Sequence, residues 1–253
     1  MSASEATDEL SERVDGDVCA GAAVGALGGD TPEAWAARLT AHHHRRRTLF
    51  EWMHPQRLAD VPCVNRLPTC GAARKAQLAD AFLDALGMPA PPLDAFRAPG
   101  AALALLPAPE CLSVFRLRAL AEHTEQLRAW IDRPRRTLLA EWIGARGVSL
   151  LLGRGRGLAG DARQLATRSR HAAPGRAAGL DAADGDTLAW LGFRLFEREC
   201  RWAVDGPLAL MQLALAPGMD TAAPLSERAR EEGPNASLSI VSQLPDLFPE
   251  WSW

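Results

Sequence analysis

The sequence predicts an all-α protein. Apolar residues recur at steps of three and four in several segments, whereas the alternating patterns typical of strands are nearly absent. Two amphipathic helices joined at a proline, within residues 109–144, form the most regular part of the chain. We therefore expect a single irregular multi-helix domain. Its predicted parts are a disordered acidic N-terminal tail at 1–30, a helical domain at 31–215, a flexible linker at 216–236, and an aromatic segment at 237–253 that packs on the helical domain.

The first helix should begin at Thr31, because Thr31 followed by Pro32 is a typical helix start, and it should run to about Met53. A further helix is predicted over 71–86, where Gly87 ends it. The predicted inward face of that helix is Leu78, Phe82, Ala85 and Leu86.

The two central helices each have an apolar stripe at helical spacing. Pro134 lacks a backbone N–H, so the first helix should stop near Asp132, which can cap a second helix that ends at Gly144. The predicted inward residues are Leu117, Leu120, Ala121, Thr124, Leu127 and Ile131 in the first helix, and Leu138, Leu139, Trp142 and Ile143 in the second. The predicted outward residues of the first helix are Arg118, Glu122, Glu125 and Arg128.

Two more helices are predicted towards the C-terminus. One spans about 185–202 with Asp184 or Asp186 as its cap, and another opens at Pro207. The predicted inward residues of the longer helix are Leu188, Leu191, Leu195 and Phe196.

The composition gives no support for a nucleic-acid or membrane partner. The net charge is −3, so no overall positive charge favours binding to a polyanion. Only Lys75 among the 28 basic residues is a lysine, and tyrosine is absent. We interpret the excess of arginine as coding bias in a G+C-rich genome rather than as phosphate recognition.

The cysteines and the N-terminus predict a bacterial-type cytoplasmic location. Five scattered cysteines suit a reducing compartment better than a disulfide framework. The acidic N-terminus lacks the basic start of a signal peptide, and no apolar run approaches the roughly 20 residues that span a bilayer. The cysteines are Cys19, Cys63, Cys70, Cys111 and Cys200.

One segment matches a nucleotide-binding pattern. GRGLAG has glycines at Gly155, Gly157 and Gly160 and follows the apolar run VSLLL. A dinucleotide site needs such glycines between a strand and a helix, within a βαβ unit. The chain shows no βαβ alternation, so a nucleotide-binding enzyme is kept only as an alternative, and no cofactor is expected.

Histidine and cysteine patterns do not predict a metal site. His42, His43 and His44 are consecutive, and neighbours on a helix point about 100° apart, so they cannot converge on one ion. Together with the three arginines at 45–47, they are predicted to form the solvated face of the first helix. His54, Cys63 and Cys70 are too loosely spaced for structural zinc. No catalytic residues stand out.

A basic stretch at 153–179 offers a second alternative, a helical nucleic-acid-binding protein. It has no aromatic side chain on which a base could stack, so a solvated loop is favoured. Its arginines are Arg154, Arg156, Arg163, Arg168, Arg170 and Arg176.

Two places are candidates for partner binding. At the helix junction, Arg133, Arg135 and Arg136 are predicted to form an exposed edge. At the C-terminus, Trp251 and Trp253 either fold back on the core, which we favour, or insert into a partner.

The chain resembles the SctK/YscK family of type III secretion accessory proteins, in particular its Hrp-type members. The similarity covers most of residues 45–253 and excludes the acidic N-terminus. The segments that carry it are WMHPQRLADV (52–61), ALGMPAPPLDAF (85–96), RALAEHTEQLRAWIDRPRRTLLAEWIG (118–144), LAWLGFRLFERE (188–199) and LFPEWSW (247–253).

The resemblance implies a mainly helical, cytoplasmic protein without enzymatic activity, peripheral to the inner-membrane secretion apparatus. Such proteins belong to the sorting platform, where they link the cytoplasmic domain of the inner-membrane ring protein to the pod protein. The implied partners are therefore these two proteins, with no nucleic acid, no direct membrane insertion and no cofactor.

Overall fold

The computed structural model describes residues 31–62, 64–98, 100–158, 183–202, 206–218 and 236–251. These residues form α-helices and short 3₁₀-helices, with no strand among them, which confirms the all-α prediction. The α-helices are α1 (Pro32–Arg47), α2 (Leu49–Trp52), α3 (Pro55–Ala59), α4 (Ala72–Ala85), α5 (Ala108–Ala121), α6 (Thr124–Arg128), α7 (Arg133–Leu158), α8 (Gly185–Glu199), α9 (Ala236–Val241) and α10 (Leu244–Leu247). The 3₁₀-helices are η1 (Val64–Thr69), η2 (Leu93–Arg97), η3 (Ala101–Leu105) and η4 (Ala209–Ala214).

The predicted starts of α1, α7 and α8 are confirmed by their caps. The Thr31 hydroxyl accepts a hydrogen bond from the amide of Ala34 at 3.2 Å. Asp132 accepts one from the amide of Arg135 at 3.0 Å, and Asp184 accepts one from the amide of Thr187 at 2.6 Å. Each cap satisfies an amide that has no acceptor within its own helix.

Helix α4 packs through a different face from the one predicted. Ala76, Ala79 and Leu83 are buried, whereas Ala85 and Leu86 are exposed. Leu78 and Phe82 are half-buried, and Phe82 packs against the hydrophobic cluster that contains Ala79 and Leu83. The prediction of the inward face was therefore wrong for Ala85 and Leu86, and it missed the two buried alanines. Gly87, with φ +68°, ends the helix as predicted.

The first central helix breaks earlier than predicted. Helix α5 ends at Ala121, and the short helix α6 ends at Arg128 instead of near Asp132. The predicted stripe is buried as far as Leu127, but Ile131 lies beyond the helix and is 83% exposed. The prediction for Ile131 was wrong because helical spacing no longer applies after Arg128.

The predicted helix end at Gly144 is confirmed, and a second helix follows it directly within the range of α7. Gly144 adopts φ +71° and ψ 163°, so it interrupts the helical geometry, but helical residues resume after it. The VSLLL run at 148–152 therefore lies in a helix. Leu139, Trp142 and Ile143 are buried as predicted, whereas Leu138 is 37% exposed.

The crossing of α5 and α8 is the centre of the fold. A Cβ added at Gly192 would lie 1.7 Å from the carbonyl oxygen of Phe115, so the two backbones are in contact there. Phe115 also contacts Phe193 and Phe196 at ring distances of 5.5 and 5.7 Å, and Trp202 stacks on Phe196 at 5.6 Å. These rings bury large apolar areas beside the backbone contact.

The segment η4 joins two hydrophobic clusters. Met211 and Ala214 belong to the large cluster around α5 and α8, whereas Leu210 and Leu213 belong to a smaller one around α2 and α4. The helix predicted from Pro207 is this 3₁₀-helix, whose successive residues point to both sides.

The chain after the predicted linker packs on the same core. Ile240, Leu244 and Leu247 are buried in the large cluster. Ala216 and Ala236, the two ends of the predicted linker, are also buried. Residues 219–235 of that linker and the predicted acidic tail at 1–30 lie outside the described residues. No helix within the described ranges is both long and apolar enough to cross a bilayer.

The α5–α8 contact gives a prediction for Gly192. Gly192→Ala should destabilise the protein by more than about 3 kcal/mol, because backbone cannot move away from the new methyl group as a side chain can. The matched control is Gly153→Ala in α7, where nothing lies within 4 Å of the added Cβ. That change should stabilise the protein by about 0.5–1 kcal/mol through helix propensity. Urea unfolding measures both, and equal stability of the two variants would contradict the contact.

Candidate interaction surface

The core around the α5–α8 crossing contains a buried arginine. Arg118 has no exposed surface, although the sequence placed it on the outward side of its helix. Its guanidinium contacts Glu199 of α8 at 2.5 Å and 3.2 Å, and Glu122 at 2.9 Å, so the predicted pair with Glu122 forms. The neighbouring residues at 117 and 119–121 are all apolar and all buried. In the sequence, these apolar neighbours on both sides of Arg118 indicate that this turn of α5 is buried all round.

Glu199 also holds the C-terminal segment. Its carboxylate accepts hydrogen bonds from the Ser237 amide at 2.9 Å and the Ser237 hydroxyl at 2.7 Å. Burial alone would raise the pKa of Glu199, but the hydrogen bonds from Arg118 and Ser237 hold it below the usual value. Burial likewise opposes the charge of Arg118, whose pKa is nevertheless raised by the carboxylates of Glu199 and Glu122. Both groups therefore stay charged and link α5, α8 and α9.

Removing one partner of this pair gives a second prediction. Arg118→Met should cost about 3–5 kcal/mol of unfolding free energy, because Glu199 would be left largely buried without its cationic partner. The double variant Arg118→Met with Glu199→Leu should recover part of that loss, since no charge is left unpaired. Arg135→Ala is the control, because Arg135 is 45% exposed and its loss should change stability by less than about 0.5 kcal/mol. A double variant no more stable than the single one would contradict the pairing.

Helix α1 is buried through a polar stripe. Arg38, His42 and Arg45 are 7%, 3% and 4% exposed, at helical spacing. The prediction of a solvated face was wrong for His42, Arg45 and Arg46, whereas His43, His44 and Arg47 are exposed as expected. Hydrophobic periodicity could not identify this inward face because its members are polar.

The buried arginines bind backbone carbonyls. Arg45 donates to the carbonyls of Ala104, at 3.1 Å, and Leu106, while Arg38 donates to the carbonyl of Phe96 at 3.0 Å. Carbonyls at the ends of 3₁₀-helices lack donors of their own, and a guanidinium carries five N–H groups. The same type of contact joins Arg46 to Met88, Arg57 to Leu215, Arg116 to Gly185, Arg136 to Trp130 and Arg146 to Leu247.

His42 is held neutral inside this stripe. Its Nδ1 lies 3.2 Å from the carbonyl oxygen of Pro207, so Nδ1 must carry the proton to donate. Burial, and then the charges of Arg45 and Arg46, lower the pKa of His42 from 6.5 to about 4. Protonation would place a third cation in the buried stripe.

His42 therefore predicts a loss of stability in mild acid. The folded-state pKa lies below that of the unfolded chain, so its contribution is present above pH 6.5 and is lost as pH falls towards 4. Unfolding free energy should be about 2 kcal/mol lower at pH 5 than at pH 7. In His42→Gln, which can still donate to Pro207, this difference should largely disappear. Urea titrations at both pH values measure it, and an unchanged difference in the variant would show that His42 is not responsible.

The described residues do not assemble a metal-binding centre. No group of three histidine, cysteine or acidic side chains there is placed to hold a metal ion. Burial raises the pKa of Cys111 to about 11 and that of Cys200 to about 12, so both thiols stay protonated at neutral pH. Cys70 is half-buried. Cys19 and Cys63 lie outside the described residues.

The GRGLAG segment does not have the structure that a dinucleotide site needs. The run before it is helical instead of a strand, and Gly155 and Gly157 lie in the last turns of α7. Gly160 lies outside the described residues, as do four of the arginines of the basic stretch, Arg163, Arg168, Arg170 and Arg176. The described part of α7 thus gives the nucleotide alternative no support.

The helix junction forms an exposed corner, which we define as Ile131, Arg133, Arg135 and Leu138. All four side chains are exposed, with Ile131 the most exposed large apolar residue at 83%. Arg135 pairs with Asp132 at 3.5 Å and lies over the Trp130 ring at 5.6 Å. Arg136, the third predicted arginine, is half-buried and donates to the Trp130 carbonyl. It therefore positions the corner and presents little surface to a partner.

Of the two C-terminal tryptophans, the structure describes Trp251 alone. Trp251 is 36% exposed, and Trp253 lies outside the described residues. The segment is anchored by the buried residues before them, and Glu250 pairs with Arg146 at 2.9 Å. Trp251 is therefore available at the surface.

The residues from α1 to the C-terminal segment match one family model. The match covers residues 31–250 and is described as bacterial type III secretion protein (HrpB4). The chain belongs to this HrpB4 family. No curated protein and no solved structure matches it.

The HrpB4 match confirms the predicted Hrp-type relationship and assigns the chain to bacterial type III secretion. It begins at the cap of α1 and ends beside Trp251, so it contains the buried ion pair, the arginine stripe and the corner. The acidic residues 1–30 lie outside it.

Proposed function

We propose that this HrpB4-family protein is a non-enzymatic cytoplasmic adaptor of the secretion system, peripheral to the inner membrane. It links the cytoplasmic domain of the inner-membrane ring protein to the sorting-platform pod protein. Family membership and the similarity of the sequence to SctK/YscK proteins support this role. The helical body and the corner at the junction of α6 and α7 are consistent with a role in binding other proteins.

The exposed corner is the observation that carries the proposal. Ile131 is almost fully exposed, and burying such a side chain in an interface contributes about 1.5–3 kcal/mol. Arg133 and Arg135 flank it, and an apolar centre with arginines at its rim is typical of protein interfaces. The chemistry fits a partner surface with an apolar pocket bordered by carboxylates.

Two hydrogen bonds and a buried ring anchor the corner. Trp130 is buried below it, and its carbonyl accepts a hydrogen bond from Arg136. Asp132 caps α7 and fixes the angle at which the chain leaves the turn. A surface that is already ordered loses little conformational entropy on binding, which favours affinity.

Co-purification and titration with the two partner proteins test the adaptor role. Ile131→Asp with Arg133→Glu should weaken binding of at least one partner at least tenfold, with the melting temperature unchanged. Leu93→Asp is the matched control, since Leu93 is 68% exposed on η2 and should leave binding unchanged. If neither partner binds the parent chain at low micromolar concentration, the adaptor role is wrong. If the corner variant binds normally, another surface makes the contact.

Trp251 and Trp253 are the second proposed contact. Trp251→Ala should leave the melting temperature within about 2 °C of the parent, because Trp251 is exposed and the anchors lie before it. Binding of one partner should fall several-fold if the indole inserts into a pocket. Leu247→Ala is the contrast, and should cost about 2–5 kcal/mol because Leu247 is buried. A large loss of stability in Trp251→Ala would assign it to the core instead.

A further inference from the structure

An open hollow lies between α1 and α4, and no residue of the corner lines it. Its volume is about 380 Å³. Its lining includes His43, His44, Arg47, Glu51 and Lys75. The exposed members of the histidine–arginine run therefore meet the single lysine of the chain in one concave surface.

The hollow carries positive charge that the described residues do not neutralise. Neither Arg47 nor Lys75 has a carboxylate partner within the described ranges. Glu51 is the one acidic residue of the lining, whereas His43 and His44 add two further nitrogen-bearing side chains. Unpaired cations in a concave surface attract an anion more strongly than the same charges on a convex one.

The chain itself contains an acidic segment of matching character. Residues 1–17 contain six carboxylate side chains and a single basic side chain, Arg13. The carboxylates are those of Glu5, Asp8, Glu9, Glu12, Asp15 and Asp17. The segment precedes the family match at residue 31 and is joined directly to α1, the helix that lines the hollow.

The length of the connection suits the distance to be spanned. Glu12 lies 19 positions before Thr31 in the sequence, and an unstructured chain of that length would have a root-mean-square span of about 24 Å. Helix α1 has 16 residues from Pro32 to Arg47, which corresponds to a length of about 24 Å. A tether matched to its span gives a local concentration in the millimolar range.

We propose that the acidic segment 5–17 docks in cis in the hollow between α1 and α4, which is a site for an acidic peptide. Its carboxylates pair with Arg47 and Lys75. The tethered segment thereby competes with any free acidic peptide for the hollow.

Zero-length carbodiimide coupling of the full chain tests this directly. The reagent joins an amine to a carboxylate in contact with it, and Lys75 is the only lysine side chain that can react. Mass spectrometry of the monomer should show Lys75 joined to residues 5–17. The yield should fall at least fivefold in 1 M salt, where the Debye length is about 3 Å.

Two matched variants locate the carboxylates. Glu5→Gln, Asp8→Asn, Glu9→Gln and Glu12→Gln together should reduce these products at least tenfold. Glu227→Gln, Glu231→Gln and Glu232→Gln neutralise a different segment and should leave the yield unchanged. A labelled peptide of residues 1–20 should bind the first variant at least tenfold more tightly than the parent, and adding Arg47→Ala should remove that gain.

Three results would overturn the proposal. Lys75 could couple only to carboxylates of the described helices, such as Glu51. The products could be dimers, which would assign the segment to a second copy. The variant neutralised at 5–12 and the variant neutralised at 227–232 could also give equal yields of the Lys75 product. That result would show that the carboxylates of the segment at 5–17 do not pair with the hollow.

Discussion

The buried contact of Arg118 with Glu199 is the interaction on which the rest of the structure depends. It lies beside the crossing of α5 and α8, and through Ser237 it fixes the start of the C-terminal segment. The aromatic cluster and the backbone contact at Gly192 supply apolar burial at the same crossing. A buried ion pair adds little net stability compared with an apolar one, but it tolerates only one arrangement of its helices. Its role here is therefore to select one packing of helices that apolar contacts alone would hold less uniquely.

Arginine has an unusual role in this helical fold. Short 3₁₀-helices and helix ends leave carbonyls without donors, and guanidinium groups from α1, α3 and α7 supply them. The abundance of arginine was interpreted as coding bias, and that origin is compatible with the structural use. The irregular segments of this fold are therefore held in place by hydrogen bonds from arginine side chains to backbone carbonyls.

The helix caps at Thr31, Asp132 and Asp184 were predictable because capping depends on a few adjacent residues. The inward faces of α1 and α4 were not, since one is polar and the other is built on alanine. Arg118 could have been recognised from its entirely apolar neighbours. Of the candidate partner residues, Arg133 and Arg135 are exposed as predicted, but Ile131 was missed because α6 ends at Arg128, several residues before the proline that marked the predicted stop.

The exposed corner and membership of a type III secretion family both support the proposed adaptor role. Hydrogen–deuterium exchange of the full chain, with and without the pod protein and the cytoplasmic domain of the ring protein, tests it most directly. Partner binding should slow exchange at residues 129–138 and leave the buried amides of α5 and α8 unchanged. Full exchange at 129–138 in a saturated complex, with protection confined to other helices, would contradict the assignment of the corner as a partner surface.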